Sequence, residues 1–216
     1  MKKILLYGDS NLWGNDVLNF DPLTGVFPRF PREKRIVGVM EKLLPGYEII
    51  EEGLCGRTTC LSEPSAPYRN GITYLPACLH SHEPLDLVII MLGTNDMQRC
   101  FSFSAYYSAS AMANYVRIIR SEFMTTKMPE ILIVSPVELG PDVENKSLGI
   151  CFDSSSVERI KELPGAYSEV AETYKCHFLD AAKYAKPGEK DDVHLTIEEA
   201  GKLAVALAEK VKEIFA

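Results

Sequence analysis

The chain has 216 residues, of which 46% are hydrophobic and 25% are charged, and its formal net charge is -7. This length fits a single domain with a sizeable core, and the ordinary composition excludes extensive disorder and gives no indication of a membrane span. The acidic balance argues against a broad surface for nucleic acid or anionic membranes, so we expect neither as a partner.

Apolar runs alternate with stretches of helical periodicity along the chain. The first apolar run, at 4–7, is too short for a signal peptide, so we expect a cytoplasmic protein. Short apolar runs predict strands at 4–7, 47–50, 85–91, 131–134 and 177–179. Helical spacing predicts helices at 33–44, 77–82, 105–123, 157–174 and 197–215, with Pro164-Gly165 kinking the fourth or splitting it into two. The pattern predicts one α/β domain, a three-layer sandwich with helices on both faces of a five-stranded parallel sheet.

Two stretches, 15–32 and 52–75, are rich in turn-forming residues and follow predicted strands. We expect both to be loops at the carboxyl edge of the sheet. In open parallel sheets that edge holds the ligand crevice, so the functional residues are expected there.

The first predicted strand runs directly into Gly8-Asp9-Ser10-Asn11, a turn that could expose the Ser10 hydroxyl. Alone, such a tripeptide is more often an ordinary turn or a helix cap. A serine becomes a nucleophile only with a base in hydrogen-bond reach and a third group that orients the base.

Among the four histidines, His194 is the best candidate for that base. It lies directly before a predicted capping box, and Asp191 stands three residues ahead, where one tight turn could bring its carboxylate to the imidazole. The alternative is that Asp191 and Asp192 only favour the start of the last helix electrostatically. Acyl transfer also needs oxyanion donors, and Gly56 and Asn95 follow the second and third strands.

These blocks occur in the order of the SGNH hydrolases, also called GDSL esterases and lipases, and the chain resembles that family. The resemblance implies that Ser10 is the nucleophile, that Asp191 and His194 complete the triad, and that the Ser10 N–H, Gly56 and Asn95 form the oxyanion hole. Where the family has Gly-Asp-Ser-Leu, this chain has Asn11, which could alter the local pocket.

Three further segments, at 51–59, 74–76 and 86–96, resemble the bacterial arylesterase/acyltransferase branch of the family. That resemblance implies a flavodoxin-like fold, small ester substrates, acyl transfer to water or an alcohol, no cofactor, and a homo-oligomer that narrows the active-site channel. Trp13, Leu54 and Val193 lie near the proposed catalytic groups in sequence and are predicted to line the substrate pocket.

Several features have more than one interpretation. The aromatic segment 100–107 is either a subunit contact or core, and Tyr68 and Tyr74 are expected to pack their loop onto the sheet. The six cysteines are scattered, so we expect free thiols. Cys78, His80 and His82 complete no zinc pattern, and no metal is expected.

Three alternatives to the esterase remain open at this point. Within the enzyme class they are a carbohydrate O-deacetylase and a lysophospholipase or thioesterase, since the same machinery serves all of these esters. From a different class, the chain could be a flavodoxin-like module that binds a small ligand without chemistry. No phosphate-binding glycine loop follows the first strand, which argues against that module.

Overall fold

The computed structural model describes residues 1–19, 23, 28–123 and 127–216. Its sheet is five-stranded and parallel, in the order β2-β1-β3-β4-β5. The strands are β1 Lys2–Gly8, β2 Tyr47–Gly53, β3 Leu87–Met91, β4 Glu130–Ser135 and β5 His177–Asp180. The helices are α1 Ser10–Trp13, α2 Ile36–Leu43, α3 Gly71–His82, α4 Ala105–Glu122, α5 Ser154–Lys161, α6 Leu163–Tyr174 and α7 Ile197–Ile214. The predicted α/β fold is confirmed.

Helices cover both faces of the sheet, which explains why its strands read as continuous apolar runs. Alternate residues of β1 point to opposite sides: Leu5 and Tyr7 join the core beneath α3, α4 and α6, whereas Ile4 and Leu6 join the core beneath α2 and α7. Because β1 lies between β2 and β3, the loop after it starts between two neighbouring strands.

The register of the sheet determines which loops meet. Gly8, at the carboxyl end of β1, pairs with Gly53 of β2 and Met91 of β3. The loops that follow these three strands therefore start at one level of one edge. They are the loops in which the sequence predicts Ser10, Gly56 and Asn95.

Two expectations about the helices have clear outcomes. The predicted break at Pro164 is confirmed, because α5 ends at Lys161 and α6 begins at Leu163 with the proline in its first turn. The prediction of a loop up to residue 75 and a helix only from 77 was wrong, since α3 already begins at Gly71. Pro76 lies inside this helix and hid its periodicity, but Leu75, Cys78 and Leu79 are fully buried, and this packing outweighs the local propensity.

Of the predicted loop 15–32, residues 20–22 and 24–27 lie outside the described part. The described portion includes a short 3-10 turn at Val17–Asn19 and an antiparallel bridge between Asn15 and Arg29. Among the described residues, no helix combines the length and apolar character needed to cross a membrane.

Gly53 is required by a close approach between β2 and α1. A Cβ built on Gly53 would lie 2.5 Å from the Trp13 backbone nitrogen and 2.7 Å from its Cα. Backbone atoms on both sides cannot move away as a flexible side chain would. The absence of a side chain at Gly53 therefore lets α1, which begins at Ser10, pack against the end of β2.

We predict that Gly53→Ala lowers the free energy of unfolding by about 1–3 kcal/mol, because the added methyl overpacks a backbone contact. Urea denaturation measures the change. Gly201→Ala is the control, since a Cβ at this position in α7 meets nothing within 4 Å. Alanine there should stabilise the helix by about 0.5–1 kcal/mol. An unchanged stability in Gly53→Ala would contradict the steric account.

Candidate active site

Ser10 is the first residue of α1 and lies two residues after the end of β1 at Gly8. The preceding Asp9 caps this short helix, its carboxylate accepting the Asn11 N–H at 3.0 Å. Gly14 ends the helix with a φ of 85°, a left-handed conformation that suits glycine. Burial raises the pKa of Asp9 above its ordinary value. The turn thus holds Ser10 on a short, capped element at the edge of the sheet.

Ser10, His194 and Asp191 form a continuous row of hydrogen bonds. The Ser10 Oγ lies 2.9 Å from His194 Nε2, and His194 Nδ1 lies 2.6 Å from Asp191 Oδ2. Since a carboxylate only accepts, Nδ1 carries the proton shared with Asp191, and Nε2 is left to accept from the Ser10 hydroxyl. The sequence predicted these residues together, and the structure brings them within hydrogen-bond distance.

Asp191 is held as an ionised acceptor. Its second oxygen accepts the N–H groups of Val193 at 3.0 Å and His194 at 2.9 Å. Burial alone would raise the pKa of Asp191, but its interactions with His194 and these N–H groups outweigh burial and place the pKa below the ordinary value. Asp192 faces away and pairs with Lys146 at 2.9 Å. The side chain that caps α7 is that of Thr196.

Two asparagines that sequence reasoning did not assign contact the His194 segment. Asn11 accepts the Leu195 N–H at 2.8 Å and donates to the Val193 carbonyl at 3.4 Å, so it holds the chain on both sides of His194. Asn15 Nδ2 lies 3.2 Å from His194 Nε2, the nitrogen that also faces Ser10. Both contacts join positions about 180 residues apart and have no local signature in the sequence.

Gly56 and Asn95 reach the same cavity as Ser10 from the loops after β2 and β3. Gly56 has a φ of 76°, a conformation that favours glycine. The Asn95 side-chain amide donates one hydrogen bond to the Arg57 carbonyl at 3.1 Å, and its oxygen accepts from Gln98 at 3.1 Å. These bonds fix the orientation of the amide, and one of its two N–H groups is left for another acceptor.

Asp96 joins these two loops beneath the cavity. Its carboxylate accepts the Thr59 N–H at 2.8 Å, the Thr59 hydroxyl at 2.6 Å and the Ser108 hydroxyl at 2.8 Å. Burial raises the pKa of Asp96 to about 6 despite these bonds. Arg57, itself buried, donates to the Gly8 carbonyl at 2.9 Å and so ties the β2 loop to the end of β1.

The cavity beside Ser10 has a volume of about 340 Å³. Trp13 and Val193 line it, whereas Leu54 lines another cavity, of about 470 Å³, together with Tyr68 and Tyr74. The ring of Tyr74 stacks on that of Tyr7 with 6.3 Å between their centroids, as its expected packing onto the sheet requires. Tyr68 is 63% exposed, so the expectation that it packs onto the sheet was wrong. The remaining lining residues of the Ser10 cavity are Asn15, Cys55, Gly56, Arg69, Asn95, Gln98, Leu148, Cys151, Phe152 and His194.

One group of side chains has the composition of a metal site. Donor atoms of Glu52, Cys78 and His82 lie within 4.8 Å of one another. Glu52 and His82 are already paired at 2.8 Å, and burial raises the pKa of Cys78 to about 12, which opposes the thiolate that a metal ion needs. His80 lies apart, 2.7 Å from Glu122.

The chain is similar to several known proteins. A sequence model of the GDSL-like lipase/acylhydrolase family matches residues 6–198. The native M. smegmatis aryl esterase is 35% identical, with 99% of each chain covered and a TM-score of 0.90. Est24, a carbohydrate acetylesterase from Sinorhizobium meliloti, is 36% identical over 99% of this chain and 100% of its own, with a TM-score of 0.89.

A lipase/acylhydrolase from Enterococcus faecalis is only 18% identical but has a TM-score of 0.71 over 99% of this chain and 96% of its own, which extends the likeness of fold. No curated protein matches the chain.

We predict that Asn11→Leu lowers kcat for ester hydrolysis about tenfold, because the chain around His194 loses its two contacts and the imidazole is less well positioned. The Leu195 N–H would also lose its acceptor, which should destabilise the fold by about 1–3 kcal/mol. Steady-state kinetics and urea denaturation measure the two effects. Asn114→Leu, on the exposed face of α4, is the control. Unchanged kcat in Asn11→Leu would remove the positioning role.

Proposed function

The chain belongs to the GDSL-like lipase/acylhydrolase family, and from this premise we propose that it is a serine esterase acting on small carboxylic esters through an acyl-enzyme on Ser10. The observation that carries the proposal is the row of hydrogen bonds from Asp191 through His194 to Ser10. A bare ligand-binding module has no need for a serine in contact with an oriented imidazole.

The mechanism begins when His194 Nε2 takes the Ser10 proton as the hydroxyl oxygen attacks the ester carbonyl carbon. The imidazolium that forms is stabilised by Asp191. The carbonyl oxygen becomes negatively charged and accepts hydrogen bonds from the Ser10 and Gly56 N–H groups and from Asn95. In measured cases, removing one such donor raises the activation barrier by about 2.7–4 kcal/mol.

The tetrahedral intermediate collapses when His194 gives its proton to the leaving alcohol, and Ser10 keeps the acyl group. Water then attacks the acyl-enzyme with the same imidazole as base, which releases the acid and restores Ser10. An alcohol that enters in place of water would accept the acyl group, so the proposal includes acyltransferase activity. Neither half of the cycle requires a cofactor.

The size and lining of the cavity support short-chain acetyl or aryl esters. Its volume of about 340 Å³ is near the lower end of ligand pockets, which is about 300 Å³. Trp13, Leu148 and Phe152 supply apolar surface for a small aryl or acyl group. A lysophospholipid or long-chain thioester would extend well beyond this volume.

A carbohydrate O-deacetylase is the second candidate. It is favoured by the 36% identity with Est24, a carbohydrate acetylesterase. The same acyl-enzyme chemistry serves both substrates, and the alcohol part of the ester is the difference. Parallel assays with phenyl acetate, acetylated xylo-oligosaccharides and an acyl-CoA separate these candidates and the thioesterase.

We further propose a cytoplasmic homo-oligomer. All six cysteines are free, which suits a reducing compartment. In the aromatic segment 100–107, Tyr106 is 74% exposed and Tyr107 is 58% exposed, and Tyr107 stacks with Phe103 at 5.5 Å. Exposed aromatic side chains of this kind are enriched in subunit interfaces, which favours the contact over the core interpretation.

We predict that Ser10→Ala and His194→Ala each lower kcat for 4-nitrophenyl acetate by at least about 10⁴-fold, because nucleophile and base act as one unit. Initial rates measure the loss, and circular dichroism checks the fold. Ser81→Ala and His80→Ala are matched controls, since both residues are exposed on α3. Turnover at the wild-type level in either site variant would contradict the esterase mechanism.

We predict that the protein sediments as an oligomer at micromolar concentration and that Tyr106→Ser combined with Tyr107→Ser shifts it toward the monomer. The interface would lose two aromatic anchors. Analytical ultracentrifugation provides the test, with Tyr184→Ser as a control at an exposed tyrosine elsewhere. A wild-type protein that sediments only as a monomer would remove the oligomer from the proposal.

A further inference from the structure

The cavity beside Ser10 has an unbalanced charge. Arg69 is its one permanently charged lining residue within the described part of the chain, and no carboxylate belongs to that lining. The thiols of Cys55 and Cys151 do not supply a negative charge, because burial raises the pKa of both, that of Cys55 to about 11. A ligand in this cavity therefore meets a cation whose carboxylate partner, Glu63, lies outside the lining.

Arg69 is held rigidly against the loop that carries Gly56. Its carbonyl accepts the Thr58 N–H at 3.0 Å, and its own N–H donates to the Ala66 carbonyl at 3.0 Å. The guanidinium covers Gly56 so closely that a Cβ there would lie 2.8 Å from Arg69 Nε and 3.0 Å from Cζ. The charge thus lies beside the N–H that the mechanism assigns to the oxyanion.

Most of the guanidinium's hydrogen-bonding capacity is unused. Glu63 accepts from Nη1 at 3.0 Å and is itself held by the Ser65 hydroxyl at 2.6 Å. Nε is buried, and no partner meets it among the described residues. Nη2 has no hydrogen-bond partner among them either, so it remains free to donate to a ligand that supplies an acceptor. A guanidinium with free N–H groups forms a strong, charge-assisted hydrogen bond to a carboxylate.

We propose that Arg69 forms an anion subsite and that the preferred substrates are small esters that also carry a carboxylate. This inference rests on the proposed esterase function and specifies its substrate class. The carboxylate accepts from the Arg69 guanidinium while the ester carbonyl lies at Ser10, so one side chain determines specificity without taking part in bond making. The carboxylate belongs either to the acyl group or to the alcohol.

Two pairs of test substrates show whether the carboxylate belongs to the acyl group or to the alcohol. The acyl arm compares monoethyl glutarate with ethyl butanoate, and the alcohol arm compares 4-acetoxybenzoate with 4-methylphenyl acetate. The readout is the ratio of kcat/KM for the charged ester to that for its neutral partner. Taking this ratio for wild type and for each variant cancels the intrinsic reactivity of the esters.

In Arg69→Met, which keeps the aliphatic stem, the ratio should fall about tenfold in one arm, mainly through KM for the charged ester. Arg69→Lys should recover part of it, because the charge returns without the planar edge. Glu63→Gln should raise the ratio, since the competing carboxylate is gone. The control is Arg117→Met, which removes the same charge from an exposed position on α4 and should leave the ratio unchanged.

Binding to Ser10→Ala tests the subsite independently of turnover. Calorimetric titration with 4-hydroxybenzoate and glutarate should detect binding of at least one of them, and adding Arg69→Met should abolish it. If the proposed esterase function is wrong but the subsite is right, no variant hydrolyses any of the esters while this Arg69-dependent binding persists. The subsite itself is overturned if Arg69→Met lowers kcat/KM for the charged and the neutral ester equally. It is also overturned if neither ligand binds, or if Arg69→Met leaves their binding unchanged.

Discussion

The parallel pairing of β1 with β2 on one side and β3 on the other brings Gly8, Gly53 and Met91 to one level at the edge of the sheet. The positions of Ser10, Gly56 and Asn95 depend on this register, because their loops begin where these three strands end. A shift of one residue in β1 would move Ser10 about 3.3 Å along the strand axis and away from the His194 side chain. The apolar residues on both faces of β1 oppose such a shift, since it would exchange the sides that Ile4 and Leu5 occupy.

Burial disfavours the charged form of the acidic groups near Ser10, and the outcome for each depends on the contacts that oppose burial. It raises the pKa of Asp9 and of Asp96, whereas the contacts of Asp191 with His194 keep its pKa below the ordinary value. The carboxylate that faces the imidazole therefore stays charged more readily than those beneath the loops. This difference places negative charge where the imidazolium develops, while Arg69 contributes a permanent positive charge to the lining of the cavity.

The sequence predicts those features of the fold and the site that short stretches of neighbouring residues encode. The strands and the division at Pro164 follow from short-range patterns, and Asp191 and His194 lie within one turn of each other. The early start of α3 was missed because burial of Leu75 outweighs Pro76 inside the helix. Asn11 and Arg69 were not assigned because their roles come from contacts between distant segments, which no local spacing encodes.

The central claim is that His194 makes the Ser10 hydroxyl nucleophilic, and a fluorophosphonate probe tests it most directly. The probe forms a covalent bond with an activated serine, and intact-mass spectrometry detects the adduct whatever the natural ester is. The account predicts a mass increase of a single phosphonyl group in the wild-type protein, a much slower increase in His194→Ala, and none in Ser10→Ala. A wild-type protein that stays unlabelled, or an equal adduct in Ser10→Ala, would contradict it.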